Sequence, residues 1–332
     1  MKTLIKIFVV VICSTVFLLI FTGVSCTITP EGISILDGNF ESPKFLELNV
    51  LSEKEINLLF STDIKIENLK IETFPVSQLV NIESKNLGDG SWQIITTETF
   101  DCTKTYVIEG YVLDARKNSL YFKDSFVGFN NRIPKVVINE IRTEYSKPKV
   151  EFIELKVLSD GNLGGMELIT ASDGSENSYV IPSVEVKSGD FVVIHYRNIE
   201  DGCIDELEND KELSTATESS SSRDLWIENS SARIAKSDVI ILKERIQGNI
   251  ADGIIFTESS FSAWKTDYMA ECAEVLISSE AWSGESVISD GLTTTRTLSR
   301  QNLNKDKSAW IVVGTSKATP GKENSSLVYV AK

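Results

Sequence analysis

The sequence predicts an all-β protein: two Ig-like β-sandwich domains in tandem behind an N-terminal leader. Three observations predict it. Apolar residues recur in short runs with a period of two, as strands buried on one face require. Turn-forming clusters such as Leu87-Gly88-Asp89-Gly90 separate these runs, while helical spacing is nearly absent. The chain has 332 residues and is 42% hydrophobic, enough for two ordinary globular cores.

Residues 1–25 carry Lys2 and Lys6, then an apolar run over 7–21 broken only by Ser14 and Thr15. The run suits the apolar region of a signal peptide and falls short of the about 20 residues of a membrane span. It ends in Thr22-Gly23-Val24-Ser25 followed by Cys26. This segment resembles a bacterial lipoprotein signal peptide, whose cleavage box ends in a small residue before a cysteine. Gly23 stands where that box usually has a bulky aliphatic residue, a loosening similar to the boxes of spirochaetes and some other diderms. The resemblance implies that Cys26 becomes the mature N-terminus and carries acyl chains, a membrane attachment through lipid, with 26–39 as a tether. At about 0.8 kcal/mol per buried CH₂, more than one chain anchors stably. Ordinary secretion with cleavage nearby and an uncleaved anchor remain open, and each places the body of the protein outside the cytoplasm.

The net charge is −15, and removing the two leader lysines takes it to −17. A surface this acidic repels phosphate backbones, which argues against a nucleic-acid partner. Cys13 and Cys26 belong to the leader, so the body holds Cys102, Cys203 and Cys272. Three cysteines do not make a disulfide framework, though a Cys203–Cys272 bridge stays open as a pairing. No CxxC or Cys/His pair occurs, which argues against structural zinc, and no cofactor is expected.

The first sandwich is expected over 40–132, with apolar runs around 45–50, 56–60, 64–71, 79–82, 92–95, 106–112 and 120–127. The run Tyr106 to Asp114, passing through Ala115-Arg116-Lys117-Asn118 into Leu120, resembles the penultimate strand and turn of bacterial Ig-like domains. Asp114 and Asn118 fit as turn residues that bond their own backbone, with Lys117 where that family has glycine. The resemblance implies a spacer or binding module.

The second sandwich is expected over 133–327 and opens on two strands, 136–141 and 150–157, joined at Ser146-Lys147-Pro148. Val137-Ile138-Asn139-Glu140-Ile141 followed by Glu151-Phe152-Ile153-Glu154-Leu155 resembles the start of a lamin-tail domain. Later landmarks of that family follow in order: Leu163-Gly164-Gly165-Met166-Glu167-Leu168, Ile181-Pro182, Ser188-Gly189-Asp190, Ser237-Asp238, Ala251-Asp252-Gly253, Arg300, Ala309-Trp310 and Pro320-Gly321. Met166 replaces its usual Trp. The resemblance implies an Ig-like sandwich of secreted and surface proteins. Two insertions, 200–223 and 259–297, depart from it. The first, acidic and then serine-rich, reads as a solvated or mobile loop; a short helix is expected over 263–276 in the second. Together they are the expected interaction surface.

Four residues are candidates for chemistry. His195 is the only histidine, on a strand face shared with Phe191 and Val193, and is expected half-buried or at the surface. Neither G-x-S-x-G nor H-E-x-x-H is present to give it a catalytic context. Glu140, Glu151 and Glu154 could hold Ca²⁺ or act as an acid–base pair. The favoured expectation is that Glu140 and Glu154 accept bonds from loop N–H groups and fix a corner of the sandwich. Strand alternation puts Glu140 on the face of Val136 and Ile138, and Glu151 and Glu154 on opposite faces. The run 200–212 lacks the spacing of a calcium loop. Two sequons, at Asn229 and Asn324, read as coincidence behind a bacterial-type leader.

The expectation is therefore a membrane-anchored envelope lipoprotein, at the outer membrane or cell surface, without catalytic or metal-binding residues. Its role would be adhesion, scaffolding, or recognition of a protein or glycan. The alternative is a secreted hydrolase or nuclease-associated accessory subunit using a carboxylate-bound metal, because lamin-tail-like domains accompany such enzymes.

Overall fold

The computed structural model describes residues 41–175, 177–228 and 234–331. The leader, the tether as far as Phe40, Cys26 and the Asn229 sequon lie outside the described residues. No helix among the described residues is long and apolar enough to cross a membrane.

Seven strands build the first unit: β1 (Phe45–Ser52), β2 (Glu55–Phe60), β3 (Ile64–Phe74), β4 (Ile82–Gly88), β5 (Ser91–Thr96), β6 (Thr105–Asp114) and β7 (Ser119–Val127). They form two antiparallel sheets, β1-β2-β5-β4 and β3-β6-β7. Alternation drives the layering. Ile56, Leu58 and Phe60 of β2 share one core with Ile108 and Val112 of β6, together with Phe100, Phe122 and Phe126. Each such burial stabilises by roughly 1.5–3 kcal/mol. The run expected over 79–82 begins as a strand only at Ile82, Leu79 making a lone bridge to Glu72. In the β6–β7 turn Asp114 Oδ1 accepts the N–H groups of Arg116 and Asn118 at 2.9 and 2.8 Å. Lys117 sits there at φ +69°, the left-handed region that glycine occupies without a Cβ clash.

The second unit follows: β8 (Val136–Arg142), β9 (Phe152–Val157), β10 (Gly161–Asn162), β11 (Glu167–Thr170), β12 (Tyr179–Val180), β13 (Glu185–Val186), β14 (Phe191–His195), β15 (Arg223–Trp226), β16 (Asp238–Lys243), β17 (Ile250–Thr257), β18 (Val287–Ile288), β19 (Leu298–Arg300) and β20 (Trp310–Val312). A six-stranded sheet, β15-β14-β9-β8-β19-β20, packs on a five-stranded one, β12-β11-β16-β17-β18. β14–β15 and β17–β18 are parallel, and β10–β13 forms a separate small ladder. The two units have separate cores. They meet where Asn130 Nδ2 donates to the carbonyls of Asn162 and Gly164, at 2.9 and 2.8 Å. Gly165, at φ +84°, lies there so close to Cys102 that a Cβ would stand 2.3 Å from its carbonyl oxygen.

The short helix expected in the second insertion is present, shifted a few residues along the chain, whereas the first insertion is less solvated than expected. The second forms helix α1 (Asp267–Ser278), N-capped by Thr266 Oγ1, which accepts the Met269 N–H at 3.2 Å. The helix covers the outer face of the five-stranded sheet and sends Met269, Cys272, Ala273 and Leu276 into the main core, joined by Trp282. Gly253 of β17 permits the approach, since a Cβ would meet Leu276 Cδ2 at 2.4 Å. Sheet and helix together bury Val239, Ile240, Ile241 and Leu242 of β16 on both faces. The first insertion covers the outer face of the six-stranded sheet. Its acidic run is anchored, with Glu206 buried and accepting the N–H groups of Asp224 and Ser214 at 2.9 and 3.1 Å. Ser219 and Ser222 are buried too, so the loop is pinned to the sheet at these points, while most of its acids, among them Glu208, Asp210 and Glu212, stay exposed. Cys102, Cys203 and Cys272 are free thiols, which removes the Cys203–Cys272 bridge.

Candidate functional site

The outer face of the six-stranded sheet carries a buried polar layer, and three of the four candidate residues meet there. A β-bulge between Ile138 and Glu140 creates it. Across the β8–β9 pair, Ile138 faces Leu155, but after the extra residue Asn139 it is Glu140 that faces Glu154 and Ile141 that faces Ile153. Val136, Ile138 and Ile141 therefore point into the core. Glu140 does not share their face, contrary to the alternation expected without a bulge, because one inserted residue reverses every later side chain.

Glu140 and Glu154 are thus direct cross-strand partners, both 0% exposed. A strap over 319–324 closes above them. Glu140 accepts the Thr319 N–H at 3.1 and 3.0 Å and the Thr319 hydroxyl at 3.3 Å. Ser299 Oγ donates to Glu140 at 3.2 Å, and Thr297 Oγ1 donates as well. Glu154 accepts Asn139 Nδ2 at 2.6 Å and the Gly321 N–H at 2.5 Å. These are the loop N–H bonds expected of a sandwich corner. Asn324 completes the clamp, donating to the carbonyls of Asn139 and Arg300 at 2.9 and 2.8 Å, so its sequon amide is engaged inside the fold. Burial raises the Glu140 pKa against its hydrogen bonds. Burial first, then the charge of Glu140, pushes Glu154 well above the ordinary carboxylate range.

Glu151 lies apart, paired with Arg197 at 2.8 and 2.5 Å. His195 is not at the surface; it is 3% exposed, stacked on Trp226 at 4.0 Å between centroids, under the first insertion. Its Nε2 meets Asp224 Oδ1 at 2.5 Å, whereas Nδ1 has no hydrogen-bond partner among the described residues. Ser222 Oγ reaches Asp224 Oδ2 at 3.2 Å and not the imidazole. A nucleophile needs its base at the hydroxyl, so this order does not assemble a Ser-His-Asp relay. Among the described residues no group of three or more His, Cys, Asp and Glu side chains could hold a metal ion.

Arg142, Glu218, Asn139, Asp224 and Thr319 escaped sequence reasoning. Arg142 is fully buried and takes Glu218 in a two-pronged ion pair, Nη2 to Oε2 at 2.9 Å. No local pattern marks these residues, since their partners lie far along the chain.

The family match falls on this second unit. A family model described as the second domain of the TP_1001 protein matches residues 134–312, more than half of the chain. The chain belongs to this family. A protein of Treponema pallidum (strain Nichols), described as an uncharacterized protein, is 28% identical over 151 residues. That match covers 45% of this chain and 38% of the relative, so well under two thirds of the relative's length is matched. Among solved structures, the N-terminal part of the bacterial S-layer protein SbsC aligns over 61% of this chain and 40% of its own, at 11% identity and a TM-score of 0.27. A DUF4876 family protein from Bacteroides thetaiotaomicron aligns over 83% of this chain and 93% of its own, at 8% identity and a TM-score of 0.26. With TM-scores this low, neither structure defines the fold or role of this chain.

Proposed function

We propose that the chain is a non-catalytic cell-envelope lipoprotein. Cys26 attaches it to the membrane through lipid, at the outer membrane or cell surface. A bacterial Ig-like sandwich and a lamin-tail-like sandwich then act in adhesion, scaffolding, or recognition of a protein or glycan outside the membrane. One observation carries the non-catalytic reading. The acids that could have done chemistry, Glu140 and Glu154, have their oxygens taken by the fold's own donors, from Thr297 to Gly321. Acceptors spent on closing a sandwich are not free to bind water or metal for hydrolysis.

Metabolic labelling with an alkyne fatty acid tests the anchor: the wild-type chain takes up label and Cys26→Ala does not, leaving the membrane fraction. Protease added to intact cells removes the protein if it stands at the surface. Hydrolase assays on the purified full chain with Ca²⁺ or Mn²⁺ test the catalytic class. Turnover that disappears in a folded Glu140→Gln or Glu154→Gln variant overturns the non-catalytic reading and favours the metal-dependent alternative.

A further inference from the structure

The Glu140–Glu154 pair does more than fill a corner. Two carboxylates placed directly opposite each other across a ladder repel, and here both are fully buried. Their surroundings do not neutralise both. Arg142, the cation on the Glu140 strand, is engaged by Glu218. On β9, Lys156 holds Glu323 of the strap at 2.6 Å, and on β19 Arg300 holds Asp252 at 2.6 Å. From β14 and β15 the pair is faced by His195 and Asp224, bonded to each other, and the Asp224 charge adds to the load on Glu154. The donors are unevenly shared. Among the described residues Glu140 accepts from Thr297, Ser299 and Thr319, while Glu154 accepts from Asn139 and Gly321. The richer donor set holds the charge on Glu140, so a proton held by the pair resides on Glu154.

We propose that the 319–324 strap is a proton-linked latch: it closes over the Glu140–Glu154 pair when the pair holds one proton, and it opens when that proton leaves. Closure needs the proton because the shut strap excludes the water that would solvate a second charge. Opening exposes both carboxylates and frees the Thr319 and Gly321 N–H groups together, since each donates to one member of the pair. The sign follows from linkage. The carboxyl binds its proton more tightly with the strap shut, where burial raises its pKa, than with it open to water. Strap closure is therefore strongest at low pH and weakens as pH rises from the lower open-state pKa toward the raised closed-state pKa. For one proton, the open population grows up to tenfold per pH unit within this window and levels off above it.

Hydrogen exchange on the full chain, read at the Thr319 and Gly321 amides between pH 5 and 8 and corrected for intrinsic rates, tests the latch. The expected result is protection that falls with pH at both amides while the amides of β16 keep theirs. Glu154→Gln, which keeps the shape and cannot release a proton, is expected to abolish the slope. A flat wild-type profile overturns the proposal whatever the variant does. So does a slope that survives in a folded Glu154→Gln chain, or β16 amides that fall in parallel.

Discussion

Replacing Arg300 with Met isolates the ion pair that joins the two sheets of the second unit. Arg300 Nη2 meets Asp252 Oδ2 at 2.6 Å and Nε donates to the Ile138 carbonyl at 2.7 Å, while the same Asp252 oxygen accepts the Ile138 N–H at 2.8 Å. Both side chains are almost fully buried, and the guanidinium lies 4.8 Å from the centroid of the Trp310 ring. Met restores the volume of the stem but leaves Asp252 charged and unpaired, a change that costs about 3–5 kcal/mol. For a unit of this size that is a drop of roughly 6–20 °C in Tm. The loss should depend on pH. Burial already raises the Asp252 carboxyl and Arg300 is what pulls it back, so in the variant its pKa climbs. A carboxyl raised in the folded state loses stability as pH rises, so the deficit is larger at pH 8 than at pH 5. Urea unfolding followed by tryptophan fluorescence reads this well, since Trp226, Trp264, Trp282 and Trp310 lie in the second unit and only Trp92 in the first. The double variant Arg300→Met/Asp252→Asn should recover part of the loss. A deficit below about 1 kcal/mol, or one independent of pH, would refute the reasoning.

Three further outcomes are expected. Lys117→Gly relieves a left-handed residue in the β6–β7 turn and should raise the stability of the first unit by roughly 0.5–1 kcal/mol in the same unfolding assay. Trp282→Ala should cost the second unit about 3–5 kcal/mol, measured by calorimetry, because this side chain of the second insertion is 1% exposed in the core. Thiol titration in denaturant should find Cys102, Cys203 and Cys272 all reactive without prior reduction, and a reductant should leave Tm unmoved.

The sandwich class and most strands were legible because alternation and turn residues are local signals. The Glu140–Glu154 clamp was legible in outline from carboxylates flanked by apolar residues. Its geometry was not, because Asn139 as an inserted residue looks no different from any other strand polar residue. The burial of His195 was also hidden. It depends on a segment returning from 200–222, and the acids and serines of that segment resemble solvated sequence until their partners, Asp224 and Ser214, are known.

The coverage of both outer sheet faces in the second unit bears on how the two units drift in sequence. In the first, every second strand residue of β6 and β7 meets water, as Tyr111 and Tyr121 do, and such positions can change with little penalty. In the second, α1 on one side and the 200–222 segment with the strap on the other turn exposed positions into interior ones. Substitutions on either sheet face must then fit a packed neighbour. The second unit is thereby confined to a narrower set of sequences, and innovation there falls to the strand edges and loop tips.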